Sequence, residues 1–442
     1  MKTFDEAVKY MYSTIPQTRK TKFPAHLGLL RMKRIMELLG NPQNRLRIIH
    51  IAGTSGKGST ATFVSSLLLA HGKKTGLHVK PHFVDIRERL QINGQMIAKD
   101  SFVAVLQTVK NVLKYLETDR YGSATYFEIL VAMAYLWFYE ERVDYAVIET
   151  GLGGLYDGTN VIENSDTVVL ITPIGLDHTA VLGNTTTKIA LQKAGIIHLK
   201  NVVFSSDQYK RVKHVCKREA KNKHAKLTFI TKGQNYKNVR VTQMGTYFLY
   251  KHRNAFTPYE LGTIGTYQAQ NASLALSCIE YVSIRDNWLF SIKQSQFILS
   301  QMIIPGRFEK ISYKNKLLIL DSAHNPQKVR AFIHTLLKIY PEKITYCIAI
   351  KNDKNSYTML AQFLDSAEHI VLTEFSFETM DMPLISSPAD KLYTQIPNAY
   401  KSLTHREPNQ KKALEKAISL SSGIVVVTGS MYLLAAVKRL LL

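Results

Sequence analysis

The sequence predicts an α/β protein of two domains: an N-terminal domain on a mostly parallel sheet, and a smaller C-terminal α/β domain of Rossmann-like pattern. Three observations carry this reading. The 442-residue chain is longer than one hydrophobic core usually serves. Short apolar runs that read as buried strands alternate with longer runs that read as helices. Several of the apolar runs end in glycine or a carboxylate, as expected where open parallel sheets gather their ligands.

The elements follow in order. "LGLLRMKRIMELLGNPQ", Leu27 to Gln43, has helical apolar spacing and stops at Gly40, Asn41 and Pro42. "LRIIHIAG" reads as a buried strand, and "GKGSTATFVSSLLLAHG" as a helix closed by Gly72. "YFEILVAMAYLWFYEE" is an apolar helix, and "VDYAVIETGLGG" is a strand running into a glycine turn. "DTVVLITPIG" is a further strand, followed by a loop and the helix "TKIALQKAGII". The stretch from about 202 to 259 is polar and β-like and predicts excursions from the sheet. "TYQAQNASLALSCIEYV" returns to helix, and "LSQMIIPG" near 299–306 predicts the linker. Beyond it, "KLLILDSAHNP", "KITYCIAI", "AEHIVLTEF" and "GIVVVTGS" predict the strands of the second domain. The expected division is 1–298 and 299–442.

Composition narrows the function. The chain has 57 Lys and Arg against 34 Asp and Glu, a formal charge of +23, which favours anionic ligands. The basic residues are densest from about Lys200 to Arg253, yet no zinc-finger spacing or aromatic RNA-binding signature accompanies them. No nucleic-acid partner is therefore expected. The apolar run Ile129 to Tyr139 is too short to span a bilayer, and no secretory leader is evident, so no membrane partner is expected. Cys216, Cys278 and Cys347 are scattered without metal or redox spacing, which fits a reducing cytoplasm.

Three strand ends carry chemistry. "HIAGTSGKGST", residues 50 to 60, lies between strand and helix, the P-loop ATPase-type context for a phosphate cradle. It departs from G-x-x-x-x-G-K-[ST], with Ile51 and Gly58 at two required positions. Even so, Gly53, Gly56 and Gly58 allow close backbone approach, Lys57 supplies charge, and Ser59 or Thr60 offers a hydroxyl to magnesium. Glu149, at the next strand end, has the reach to serve a magnesium ion on nucleotide phosphates. Asp177 and His178 stand together at a third.

The ordered set "HIAGTSGKGST", "GLGG..D.TN", "ITPIGLDHT..LG", "KAGII", "PGRFE" and "DSAHNP" resembles the folylpolyglutamate synthase and dihydrofolate synthase family, within the Mur ligase group of ATP-dependent amide ligases. The motifs run in order from about Leu27 to Tyr432. The loop looks like that family's own form, G-T-x-G-K-G-[ST], with the hydroxyl one residue later. The resemblance implies a Mur-type ATP-binding domain, a Mur-type C-terminal domain and a monomer. It also implies a reaction in the one-carbon, folate-building class. ATP phosphorylates a substrate carboxylate, dihydropteroate or a reduced folate polyglutamate, and the amine of L-glutamate attacks the acyl phosphate.

By the same resemblance, Gly53, Thr54, Ser55, Gly56, Lys57, Gly58, Ser59 and Thr60 would hold the ATP phosphates. Ser59 and Glu149 would bind one magnesium ion and His178 a second. Lys193 matches a lysine that the family carries as a carbamate. Gln268 and Asn271 match positions near the nucleotide, and Arg307 an arginine that reaches the phosphates. Asp321 and His324 match second-domain positions facing the nucleotide or the incoming glutamate. Lys57, His178, Lys193, Arg307, Asp321 and His324 are thus the expected catalytic set.

"HVKPHFVDIRERLQING" resembles the family's mobile pterin-side loop. That places Lys80, Pro81, His82 and Arg89, with Asp157 of "GLYDGTN", at the acceptor substrate. Lys80 stands where the family usually has Ser, and Leu155 where it usually has Arg. Both changes lie on the acceptor side, so a Mur-like ligase with a different carboxylate acceptor is the alternative reading.

Overall fold

The computed structural model describes residues 1–15, 25–116, 121–377 and 384–441. The first sheet has eight strands: β1 (Ile48–Ala52), β2 (Thr75–His78), β3 (Leu90–Ile92), β4 (Gln95–Met96), β5 (Tyr145–Glu149), β6 (Val168–Ile171), β7 (Val202–Ser206) and β8 (Lys226–Ile230). Their order is β4-β3-β2-β5-β1-β6-β7-β8. From β2 to β8 all neighbours are parallel, and β3 and β4 add an antiparallel edge. β1, β5 and β6 are buried throughout, as their largely apolar sequences require of central parallel strands. Their register, Ile51 beside Glu149 and Ala52 beside Ile171, brings three strand ends to one edge.

Helices cover both faces. On one, the helix Lys57–Ala70 packs through Phe63, Val64 and Leu67 into a core shared with Ala272 and Leu276 of the helix Thr266–Arg285. On the other lies the helix Tyr126–Glu140, opened by a capping box in which Thr125 and Glu128 satisfy each other's backbone N–H groups. Glu128 also takes Arg31 in a buried ion pair at 2.8 Å, tying the N-terminal helix Ala25–Leu38 to this layer.

The 202–259 stretch corrects the expectation. β7 and β8 extend the main sheet in parallel, joined by the basic helix Lys210–Asn222. Its charged face is solvated, while Val212, Val215 and Cys216 pack inward. β8 is the edge strand with alternate residues exposed, and it and the charged helix read as excursions from the sheet. Only β9 (Tyr236–Val241), β10 (Thr246–His252) and β11 (Ala255–Leu261) leave the sheet, as a separate antiparallel one.

The second large sheet contains β12 (Glu309–Tyr313), β13 (Lys316–Leu320), β14 (Ile344–Ile348), β15 (Ala367–Leu372), β18 (Thr404–Arg406) and β19 (Ile424–Thr428). β16 (Ser376–Phe377) and β17 (Leu384–Ile385) form a small separate ladder. The order is β12-β13-β19-β14-β15-β18, parallel except for β12. The helix Ile292–Gln301 runs across position 299, so the non-helical link to this sheet is the short stretch from 302 to β12. The two halves touch: Arg439 donates to Val84 O at 3.3 Å, and a Cβ on Gly306 would lie 2.5 Å from the Phe83 ring. Among the described residues no helix is long and apolar enough to cross a membrane.

Candidate active site

The phosphate loop leaves β1 at Ala52 and enters its helix at Lys57. Gly53 is pressed against β6, where an added Cβ would lie 1.8 Å from Thr172 Oγ1. Gly56, at φ +87°, caps the helix, and its Cβ would lie 2.4 Å from Asn271 Oδ1. The chain therefore needs glycine at both points. The N–H groups of Thr54 and Ser55 donate to Pro173 O, which pins the loop to the neighbouring strand end. The first helical bond runs from Thr60 N–H to Gly56 O at 2.8 Å. The N–H groups of Lys57, Gly58 and Ser59 precede it, at the positive end of the helix. Thr60 Oγ1 and Gln268 Nε2 are buried beside this loop without a hydrogen-bond partner, an arrangement suited to a polar ligand.

Glu149 closes the cradle. Its carboxylate is 3.8 Å from Lys57 Nζ and accepts the Lys80 N–H at 3.2 Å. Among the described residues no three His, Cys, Asp or Glu side chains cluster as a ready-made metal cage. Glu149 and the Ser59 hydroxyl fit a magnesium ion that takes its remaining ligands from phosphate and water.

Asp177 and His178 lie on the loop after β6. His178 adopts φ +49°, and its ring, half exposed, is 4.0 Å from the Asp177 carboxylate. Burial, then the Lys80, Lys354 and Lys57 charges, push the imidazole down to about 4 against the pull of Asp177, so it presents a neutral nitrogen. Burial raises the Asp177 carboxyl, but His178, Lys328, Lys354 and His324 outweigh it and the net shift is downward. Lys193, on the helix Thr186–Ala194, is 4% exposed, and burial followed by the Lys57 charge brings its ammonium down to about 7.

The second domain contributes Arg307 and His324. Arg307 donates to Ser322 Oγ. Asp321 is buried, and both of its oxygens accept backbone N–H groups, from Phe308 and Ala323, each at 2.9 Å. Burial raises its carboxyl to about 6 against the opposing Arg307 charge. Its visible work is to clamp "PGRFE" onto "DSAHNP".

The predicted acceptor residues separate into two groups. Lys80, joined to Pro81 by a cis peptide, holds its ammonium 5.7 Å from the centre of the Phe127 ring, near the site. His82 and Arg89 are 2% and 1% exposed and bond to each other at 2.9 Å beneath the loop. Asp157 accepts the N–H groups of Leu152 and Thr159, organising the glycine turn. Leu155 packs on Gly195, where an added Cβ would lie 2.5 Å from its own. The side chains not foreseen are Phe127, Gln327, Lys328 and Lys354. Lys328 alone had a signal, a cation two residues beyond the "HNP" turn.

A Mur ligase middle-domain model matches residues 51–279, more than half of the chain, and a dihydrofolate synthetase C-terminal domain model matches 306–440. The dihydrofolate synthase/folylpolyglutamate synthase of Bacillus subtilis (strain 168) is 31% identical over 95% of this chain and 96% of its own. The chain belongs to the folylpolyglutamate/dihydrofolate synthase family. Among solved members, Mycobacterium tuberculosis folylpolyglutamate synthase complexed with ADP superposes with a TM-score of 0.86 at 25% identity, over 99% of this chain and 98% of that one. A folylpolyglutamate synthase complexed with AMPPCP and folate gives 0.84 at 27% identity, with complete coverage of both chains. The strand-end cluster stands on the part matched by the middle-domain model, and Arg307 and His324 on the part matched by the C-terminal model.

Proposed function

We propose that this protein is an ATP-dependent ligase that joins L-glutamate to a folate-type carboxylate, either dihydropteroate or a reduced folate polyglutamate. One observation carries the reading. A glycine cradle with Lys57, a carboxylate at Glu149, the Asp177–His178 pair and a buried Lys193 meet at one sheet edge, opposite Arg307 and His324. That is the equipment a phosphoryl transfer from ATP to a carboxylate needs: charge neutralisation on both sides of the transferred group.

In this reading, residues 53–60 with Gln268 and Asn271 seat ATP. Lys57 and Arg307 neutralise charge on the phosphoryl oxygens. Ser59 and Glu149 hold one magnesium ion and His178 a second. Magnesium supplies Lewis-acid charge where the phosphate oxygens gather it. The lowered Lys193 ammonium provides the free amine that a carbamate requires, and the carbamate would turn a buried cation into an anion facing the metal. Asp321 acts by holding Arg307 and His324 in place. Lys80 and Phe127 border the acceptor, with Pro81 turning the loop, while His82, Arg89 and Asp157 support the acceptor loops from beneath. We assign the protein as a two-domain monomer divided near residue 300, with small-molecule substrates only.

The test is a product assay. Purified protein receives ATP, magnesium and glutamate, with dihydropteroate in one tube and tetrahydrofolate in another. Mass spectrometry should find one or more glutamyl units added in at least one tube. No addition in either, with ATP hydrolysis that Lys57→Ala abolishes, would assign a different carboxylate acceptor.

A further inference from the structure

Lys328 stands where a helix disfavours a cation. It is the third residue of the helix Pro326–Ile339, with its N–H capped by Asn325 Oδ1 at 2.9 Å. The positive end of the helix dipole lies there. Its ammonium is 3.1 Å from His324 Nε2. On the far side of that ring, Nδ1 is 2.7 Å from Ser322 O, which only accepts, so Nδ1 carries the proton and Nε2 the lone pair. His324 is then neutral and occupies one of three ammonium donors.

The charges that act on Lys328 are Arg307, Lys57 and Lys354, all positive, and one carboxylate, Asp177. Burial and these cations bring the Lys328 ammonium down to about 7, so an entering anion both relieves the positive charge and keeps Lys328 protonated. Three kinds of anion enter under the reaction proposed above, and the acceptor carboxylate must lie with the ATP phosphates because it attacks the γ-phosphorus. The phosphates lie on the side of Lys57 and Arg307. Lys328 sits beyond His324 on the second domain, and the Asp177 carboxylate acts on it from the loop after β6. A Cβ on Gly175 would lie 3.0 Å from Gln327 Oε1, so the loop carrying Asp177 meets the start of this helix, and a cation and a carboxylate on the two sides of that contact are the pattern that an amino-acid zwitterion complements.

We propose that Lys328 binds a carboxylate of the incoming glutamate, while Asp177 receives its ammonium group. This assignment rests on the ligase reading. His324 acts as the positioning residue that keeps the Lys328 ammonium in the cleft.

The test compares the wild-type protein with Lys328→Met, Lys328→Arg and Asp177→Asn, using MgATP and the folate acceptor. Glutamate, glutamine and the α-amide of glutamate serve as incoming amino acids. Lys328→Met is expected to raise KM for glutamate about 10- to 100-fold and leave KM for ATP unchanged. The wild-type preference for glutamate over one of the two amides should shrink by a similar factor, and the amide concerned identifies the carboxylate. Lys328→Arg should restore part of the preference, and Asp177→Asn should raise the same KM. A uniform loss with all three amino acids would overturn the proposal in favour of a purely structural lysine. So would slower acyl-phosphate formation without glutamate at an unchanged glutamate KM, because Lys328 would then serve the phosphoryl group. A wild-type protein that adds no amino acid to any folate would remove the ligase reading, and this assignment with it, before any variant is made.

Discussion

Lys57 Nζ stands 3.8 Å from Glu149 Oε1, a cation and a carboxylate facing each other across the mouth of the phosphate cradle. Between them they define where the nucleotide's negative charge and a divalent cation would be resolved. In the proposed reaction, Lys57→Ala removes the charge that meets the transferred phosphoryl group. We expect kcat to fall about 100- to 1,000-fold, read as glutamate-dependent ADP release. Glu149→Gln keeps the shape and should weaken magnesium binding, so that a higher magnesium concentration recovers part of the rate.

Gly56 adopts φ +87° with Asn271 packed over it. Gly56→Ala forces a side chain into a left-handed position and against that amide. The strain is on the order of 1–3 kcal/mol and falls on the loop that seats ATP. We expect KM for ATP to rise about tenfold, with the melting temperature little changed because the loop is outside the core.

With Lys193 as the proposed carbamate, activity should depend on pH and bicarbonate. Burial and the Lys57 charge bring its ammonium to about 7 from 10.5, so the amine is largely free above pH 7 and protonated below it. Only the free amine forms a carbamate. Enzyme stripped of carbon dioxide should lose activity and regain it with bicarbonate, faster on the alkaline side of neutrality than on the acid side. Lys193→Arg should be inactive and indifferent to bicarbonate. The sign for stability follows from the same shift. Between about 7 and 10.5 the unfolded chain binds the extra proton, so the unmodified protein gains stability as pH rises through that window.

Arg31 and Glu128 form a buried ion pair beneath the segment that carries Phe127. Arg31→Ala would leave a buried carboxylate uncompensated. We expect a loss of about 3–5 kcal/mol in urea unfolding, with KM values for ATP and glutamate unchanged in the folded fraction.

Much of this was legible in the residues because the site is built from strand ends. "LRIIHIAG" and "VDYAVIETG" are central strands whose apolar runs stop abruptly at the chemistry, so Gly53 and Glu149 announce themselves. The stretch 202–259 reads as β-like excursions, yet β7 and β8 extend the main sheet; the exposed polar residues of β8 and the charged residues of the helix Lys210–Asn222 conceal that continuity. His82, Arg89 and Asp157 were read as substrate contacts, yet the structure turns them inward to hold backbone and each other. A motif records that a residue type is needed, not which way its side chain points. Lys328 and Lys354 escaped because only the docking of the second domain brings them beside Asp177.

The central claim is that a carboxylate is activated by phosphoryl transfer in the cradle of residues 53–60. The most direct measurement uses a folate acceptor labelled with oxygen-18 in its reacting carboxylate. After turnover with ATP and glutamate, the account requires one labelled oxygen in each inorganic phosphate released, because the carboxylate oxygen leaves with the phosphoryl group when the amide forms. Unlabelled phosphate alongside a glutamylated product would contradict it.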